Sequence, residues 1–148
     1  MLDEVTAKVP LAAADRPAIL VVEDDPVLAI VLRRLIETSF SEYNVVHVTN
    51  SAAALAQLPL QPVPLAITDY HLPSSMDGLK LAEAIRARSP ETRIVLITAY
   101  ATSEIEQAAY AHGVEFYLPK PFLLKDLTLV VRTVLNWWQG QQQPHETD

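Results

Sequence analysis

From residue 18 onward, two patterns of apolar residues alternate along the chain. Short apolar runs rich in β-branched residues, typical of buried strands, are each followed by a stretch whose apolar residues recur every three or four positions, typical of a helix. This alternation predicts an α/β fold, a doubly wound sheet of five parallel strands with five flanking helices. The predicted strands are 19–22, 45–48, 65–68, 94–98 and 115–118.

The predicted helices begin at residues suited to helix N-termini. Asp25 followed by Pro26 indicates an N-cap and a first helical position. Asn50 is expected to cap a helix over 51–58. Ser103 and Glu106 have the spacing of a capping box, with Ser103 as the expected N-cap. The two remaining helices are expected over 79–88 and from about residue 123, where no side chain is suited to capping.

Both ends of the chain differ in composition from the middle. Residues 1–17 contain two prolines and a run of three alanines, and we expect them to form a flexible leader. Residues 139–148 are polar and rich in glutamine, and we expect a disordered tail. The folded domain is therefore expected over 18–138. Near its end, one residue of the Trp137–Trp138 pair is expected to close the core while the other lies at the surface.

Composition narrows the class of protein. A length of 148 residues fits one domain with a full core. Eighteen acidic residues against eleven Lys and Arg give a net charge of -7, which disfavours direct binding to nucleic acid or to anionic membranes. The chain has no cysteine, no apolar run of transmembrane length and no signal-peptide pattern at residues 1–8. We therefore expect a cytoplasmic protein.

Charged residues follow three of the predicted strands. Glu23 and Asp24 follow the first, Asp69 follows the third and Lys120 follows the fifth. The carboxyl ends of parallel strands meet at one edge of the sheet, where ligands bind in this class of fold. Two carboxylates about 4 Å apart repel by about 4 kcal/mol at an effective dielectric constant near 20. A raised pKa, the Lys120 ammonium or a bound cation could each relieve that repulsion, and Mg²⁺ is the cation that fits best.

A cation at this edge would make phosphoryl chemistry feasible. Asp69 could then attack phosphorus to give an aspartyl phosphate, while the cation and Lys120 neutralise charge on the transferring oxygens. Thr98 ends the fourth predicted strand, where its hydroxyl could donate to a phosphoryl oxygen. Each residue alone is a common structural feature, but their succession along one predicted sheet is specific.

This succession resembles the receiver domain of bacterial two-component response regulators, and the similarity covers about residues 18–138. It is carried by sequence motifs at the ends of strands one, three, four and five. The motifs are Ile-Leu-Val-Val-Glu-Asp-Asp at 19–25, Ile-Thr-Asp-Tyr-His-Leu-Pro at 67–73, Met-Asp-Gly-Leu at 76–79, Ile-Thr-Ala-Tyr at 97–100 and Tyr-Leu-Pro-Lys-Pro-Phe at 117–122. The resemblance implies a flavodoxin-like receiver fold of the stand-alone, chemotaxis-regulator type.

The resemblance also implies a role for each matched residue. Asp69 would be the phosphoacceptor, and Mg²⁺, with Mn²⁺ as an alternative, would be its cofactor. The implied metal ligands are Asp24 and Asp69 directly, Glu23 through water, and the backbone carbonyl of His71. The other implied roles are a phosphoryl contact for Lys120, a switch hydroxyl for Thr98, an aromatic ring that turns inward on activation for Tyr117, and tuning of dephosphorylation by His71 and Tyr100.

The implied function is signalling rather than metabolic catalysis. A histidine kinase or a histidine phosphotransfer protein would supply the phosphoryl group, and the chain would catalyse only its own phosphorylation and dephosphorylation. The fourth helix, fifth strand and fifth helix would form the surface read by a downstream protein, and a phosphorylation-dependent homodimer is a further option. Alternatives within this class are a phosphate relay or sink, and a receiver excised from a larger regulator or hybrid kinase.

Two other classes fit the predicted fold less well. A phosphohydrolase with an aspartate nucleophile needs a second acid two residues after Asp69, where this chain has His71. A flavodoxin-like cofactor binder needs a loop rich in Gly, Ser or Thr after the first strand, where this chain has acidic residues.

Overall fold

The sheet has the parallel topology predicted from the sequence. The computed structural model describes residues 16–73 and 76–142. Within them, five parallel strands form one sheet in the order β2-β1-β3-β4-β5. The strands are β1 Ala18–Val22, β2 Asn44–Val48, β3 Leu65–Asp69, β4 Arg93–Thr98 and β5 Phe116–Pro119.

Helices cover both faces of this sheet. The helices are α1 Pro26–Ser39, α2 Ser51–Gln57, α3 Gly78–Arg88, α4 Ser103–Ala111 and α5 Leu124–Gln142. On one face, Ile19 and Val21 of β1 share an apolar cluster with residues of α1 and α5. On the other face, Leu20 and Val22 share a second cluster with residues of α2, α3 and α4. Since neighbouring residues of one strand face opposite clusters, the central strands must be apolar throughout.

Two of the predicted helix caps are confirmed. The Asp25 carboxylate accepts a hydrogen bond from the amide of Val27 at 3.0 Å and begins α1 at Pro26. The Asn50 side chain accepts from the amide of Ala53 at 2.8 Å and begins α2. Each cap satisfies a backbone donor that the first helical turn leaves without a partner.

The predicted capping box at Ser103 is wrong. The N-cap of α4 is Thr102, whose hydroxyl accepts from the amide of Ile105 at 3.1 Å, and Ser103 is already helical. Thr102 has an extended backbone, as an N-cap requires, so the helix begins one residue earlier than the capping-box spacing indicates. Similarly, α3 begins at Gly78, with Asp77 as its cap.

The last helix is longer than expected. Helix α5 continues through Gln142, so residues 139–142, predicted as part of a disordered tail, are helical. Tyr43 explains part of this extension, because its hydroxyl accepts from Gln139 Nε2 at 3.0 Å and its ring lies edge-on to Trp138. Trp137 instead is 43% exposed, as expected for one residue of the tryptophan pair. The rest of the predicted tail, 143–148, and residues 1–15 of the predicted leader lie outside the described residues.

No helix in the described part of the chain combines the length and the hydrophobicity needed to cross a membrane.

Candidate functional site

The order of the strands creates a crevice at one edge of the sheet. Strand β1 lies between β2 and β3, so the connections that leave the carboxyl ends of β1 and β3 diverge to opposite sides. In doubly wound sheets such a point is where ligands bind. Glu23 and Asp24 follow β1 directly, and Asp69 is the last residue of β3. The fold therefore places all three acidic side chains at the crevice.

The three carboxylates meet, as the sequence predicts. One oxygen each from Glu23, Asp24 and Asp69 lies within 4.8 Å of the others. Glu23 and Asp69 are buried, at 1% and 7% exposure, whereas Asp24 is exposed. Two carboxylates are thus held by the protein, while the third faces solvent at the mouth of the crevice.

Lys120 reaches the same point from β5. Its Nζ lies 2.9 Å from Asp69 Oδ2 and 3.4 Å from Glu23 Oε2. Its amide donates to the carbonyl of Thr98 at 2.7 Å, which ties the chain after β5 to the end of β4, and the Lys120–Pro121 peptide is cis. One ammonium therefore contacts two of the three carboxylates.

The surroundings raise the pKa of Glu23 and also that of Lys120. Burial raises the pKa of Glu23 above 4.5, and the charge of Asp69 adds to this, although the amide of Asp25 and the Lys120 ammonium oppose the shift. Burial lowers the pKa of Lys120, but the hydrogen bond and charge of Asp69 together with the charge of Glu23 outweigh it, so the net shift is above 10.5. The crevice thus favours the charged form of Lys120 and disfavours the ionised form of Glu23.

The donor set fits a hard divalent cation. The converging side-chain atoms are all carboxylate oxygens, which Mg²⁺ prefers, and the exposed Asp24 leaves room for the waters that Mg²⁺ retains. Three carboxylates against one ammonium also leave an excess of negative charge for a cation to neutralise.

Thr98 and Tyr117 lie on the neighbouring strands β4 and β5. Thr98 is fully buried at the end of β4, and its hydroxyl accepts from the amide of Tyr100 at 3.0 Å. Tyr117 pairs with Leu96 across β4 and β5. Its hydroxyl is buried and has no hydrogen-bond partner among the described residues, and burial, followed by the charge of Glu106, raises its pKa above 10.0. The ring is partly buried against the second apolar cluster.

His71 and Tyr100 form an aromatic pair beside Asp69. Their ring centroids are 4.4 Å apart with an interplanar angle of 66°, and the Tyr70 ring also contacts His71 at a centroid distance of 4.9 Å. The amide of His71 donates to Asp69 Oδ1 at 3.2 Å. The contact between Tyr70 and His71 was not predicted. The sequence pattern gives Tyr70 no role beyond packing, and Tyr70 does pack against the second apolar cluster.

Gly78 is a site-forming residue that the sequence analysis did not single out. Its amide donates to the carbonyl of Tyr70 at 2.7 Å, and a Cβ at this position would overlap the carbonyl oxygen of Asp69 and the Cα of Tyr70. Only a residue without a side chain lets α3 begin this close to the end of β3. The Asp77–Gly78 pair in the 76–79 motif is the sequence feature that could have indicated this role of Gly78.

Fold and site together define a receiver domain. Residues 19–132 match the family described as the response regulator receiver domain, and the chain belongs to this family.

Curated relatives include receivers in chains of different lengths. The DNA-binding transcriptional regulator NtrC of Escherichia coli is 30% identical over 129 residues, which are 87% of this chain and 27% of NtrC. The response regulator receiver protein CpdR of Brucella abortus is 32% identical over 117 residues, which are 79% of this chain and 95% of CpdR. This chain thus spans about a quarter of NtrC but nearly the whole of CpdR.

A solved structure supports the same fold. The signal receiver domain of an HD domain-containing protein from Pseudomonas fluorescens superposes with a TM-score of 0.77 at 29% identity. The match covers 84% of this chain and 98% of that one.

Proposed function

We propose that this chain is a phosphoacceptor receiver in a two-component phosphorelay. It takes a phosphoryl group from a histidine kinase or a histidine phosphotransfer protein onto Asp69, with Mg²⁺ as cofactor. The observation that carries this proposal is the meeting of three carboxylates with Lys120, whose Nζ lies 2.9 Å from Asp69 Oδ2. Such a mixture of charges suits a site that holds both a cation and a phosphoryl group.

The burial of each acid suggests how the cation would be held. Asp24 is exposed and free to act as a direct ligand, whereas Glu23 and Asp69 are buried and both contact Lys120. As the family resemblance implies, Asp69 would be the second direct ligand and Glu23 would contact the cation through water. The backbone carbonyl of His71 would supply a further oxygen. Mg²⁺, or Mn²⁺ in its place, would neutralise charge on the phosphoryl oxygens when bound.

The transfer is a nucleophilic substitution at phosphorus. A carboxylate oxygen of Asp69 attacks the phosphorus of a phosphohistidine, the new O–P bond forms as the N–P bond breaks, and the imidazole leaves with the electron pair. Lys120 stabilises the negative charge on the transferring oxygens from its position beside Asp69. The product is an acyl phosphate on Asp69.

The phosphoryl group would become a signal through Thr98 and Tyr117. A phosphoryl oxygen on Asp69 is a new acceptor for the Thr98 hydroxyl, whose movement changes the space available to Tyr117. We propose that the Tyr117 ring, which is partly buried against the second apolar cluster, fills the space that Thr98 vacates. The surface formed by α4, β5 and α5 would report the change.

The partners follow from this role. The phosphodonor is a histidine protein, and a downstream protein reads the surface formed by α4, β5 and α5, either directly or through a phosphorylation-dependent homodimer. Acting as a relay or sink for phosphate is the alternative, as is service as the receiver part of a longer regulator such as NtrC. A cytoplasmic location belongs to this proposal, since phosphotransfer needs a shared compartment with the kinase.

Intact-mass measurement tests the proposal. We expect incubation with acetyl phosphate and Mg²⁺ to add the mass of one phosphoryl group to the wild type and nothing to Asp69→Asn. Omitting Mg²⁺ should prevent the gain. Asp126→Asn, an exposed acid in the first turn of α5, is the matched control and should be modified like the wild type. A gain that persists in Asp69→Asn would contradict the assignment.

A further inference from the structure

The backbone carbonyl of Glu23 accepts a hydrogen bond from a histidine side chain. His47 Nε2 lies 2.7 Å from Glu23 O, and the imidazole is partly buried. Since a carbonyl oxygen can only accept, Nε2 carries the proton in this contact. His47 lies on β2, outside every motif that identifies the site.

The hydrogen-bond pattern of the sheet explains why this contact exists. Val22 pairs with Val48 between β1 and β2, and the amide of Glu23 donates to the carbonyl of Val48 at 3.1 Å. In a parallel ladder the next donor to Glu23 O would be the amide two residues after Val48. Strand β2 has ended there, and Asn50 is the N-cap of α2. The imidazole of His47 supplies a donor where the ladder no longer does.

This contact bears on where Asp24 points. The carbonyl of Glu23 and the amide of Asp24 belong to one planar peptide, so fixing the carbonyl fixes the direction in which the chain continues to Asp24. The Glu23 side chain is held separately, because Oε1 accepts from the amide of Asp25 at 3.0 Å and Oε2 from Lys120. Asp24 is exposed, so its carboxylate depends on its backbone for orientation.

We propose that His47 is a positioning residue for the cation site: its imidazole holds the Glu23–Asp24 peptide so that the Asp24 carboxylate faces Asp69. The inference rests on the proposed function, because it needs a cation at this cluster. Residues that orient metal ligands in this way typically contribute about 10- to 100-fold to metal affinity.

Two substitutions of His47 that differ by one methylene distinguish a loss of the hydrogen bond to Glu23 from a general loss of stability. His47→Gln keeps an N–H donor at about the reach of Nε2, whereas His47→Asn carries the same amide too far from Glu23 O. Val45→Ala is the matched packing control, because Val45 lies two residues earlier on the same face of β2 and packs against the first apolar cluster. It should lower stability without touching the Glu23–Asp24 peptide.

The measurement is the dissociation constant for Mg²⁺ by calorimetric titration of the full chain, beside urea unfolding of every variant. We expect His47→Asn to weaken Mg²⁺ binding about tenfold, the lower end of the range for such residues. His47→Gln should recover most of the affinity, and Val45→Ala should bind like the wild type while unfolding at lower urea.

Two results would overturn this inference, and the second would also overturn the proposed function. Equal affinities for His47→Asn, His47→Gln and wild type would overturn the role of His47 and leave the proposed function intact. No Mg²⁺ binding by the wild type would overturn both. If His47→Asn does not fold, His47→Leu replaces it, with the same expected loss relative to His47→Gln.

Discussion

Lys120 Nζ lies 2.9 Å from Asp69 Oδ2, so the residue after β5 forms an ion pair with the last residue of β3 across the intervening strand β4. The same ammonium is 3.4 Å from Glu23 Oε2. One positive charge is thus shared between two buried carboxylates, with Asp24 still to be neutralised. We expect the charge excess that remains to lower the stability of the protein when no cation is bound.

Replacement of Asp69 by asparagine should therefore stabilise the protein when no metal is present. The amide removes one of three converging negative charges while it can still accept from the amide of His71. We expect the free energy of unfolding in metal-free buffer to rise by about 1 kcal/mol, because the lost repulsion exceeds the lost pairing with Lys120. Urea unfolding in the presence of a chelator measures this.

Asp126→Asn tests whether that gain is specific to the cluster. Asp126 lies in the first turn of α5, where a carboxylate interacts favourably with the helix dipole. The same chemical change should there leave stability unchanged or slightly lower. A metal-free Asp69→Asn protein no more stable than wild type would contradict the picture of repelling carboxylates.

The raised pKa of Glu23 predicts how stability depends on pH. The folded state holds the Glu23 proton to a higher pH than the unfolded chain, for which the pKa is 4.5. The contribution of this group is therefore fully present below pH 4.5 and is lost as the pH rises through the raised value. In metal-free buffer, Glu23→Gln should gain stability relative to wild type as the pH rises from about 4 to about 7.

Unfolding by urea at a series of pH values measures that difference. Saturating Mg²⁺ should reduce it, because a cation favours the ionised carboxylate. A stability difference that does not change with pH would show that Glu23 has an ordinary pKa in the folded state.

Several parts of the fold and the site were predictable because they rest on local chemistry. Buried parallel strands must be apolar on both faces, so 19–22 and 65–68 identified β1 and β3, and the acids that follow had to share an edge. The caps at Asp25 and Asn50 were predictable for the same reason, since each needs only its own side chain and the next turn.

Other parts were not predictable, because they depend on residues distant in the sequence. Gln139, in the unpredicted end of α5, donates to the hydroxyl of Tyr43, 96 residues earlier. His47 donates to Glu23 because the β2 ladder ends at Val48, which a pattern of apolar residues does not reveal. The start of α4 differed by one residue, since both Thr102 and Ser103 have side chains suited to capping.

Gly78 should be intolerant of even the smallest side chain. A Cβ there would overlap the backbone of Asp69 and Tyr70, which cannot move without disturbing the end of β3. We expect Gly78→Ala to lower the free energy of unfolding by about 1–3 kcal/mol, the usual cost of overpacking. Gly140→Ala in α5 is the matched control, because nothing lies within 4 Å of its Cβ position. The free energy of unfolding of that variant should rise by up to about 1 kcal/mol, since alanine favours the helix more than glycine does.

The aromatic pair of His71 and Tyr100 should prolong the life of the phosphorylated state. The two rings contact each other at a centroid distance of 4.4 Å, and we propose that their bulk would hinder the in-line approach of water to a phosphoryl group on Asp69. We expect the combined substitution His71→Ala with Tyr100→Ala to shorten the half-life of the aspartyl phosphate several-fold. The decay is followed by intact mass after acetyl phosphate is removed. Leu60→Ala, exposed before β3 at the opposite edge of the sheet, should decay like wild type. A half-life in the double variant no shorter than wild type would mean that the pair does not shield the phosphoryl group.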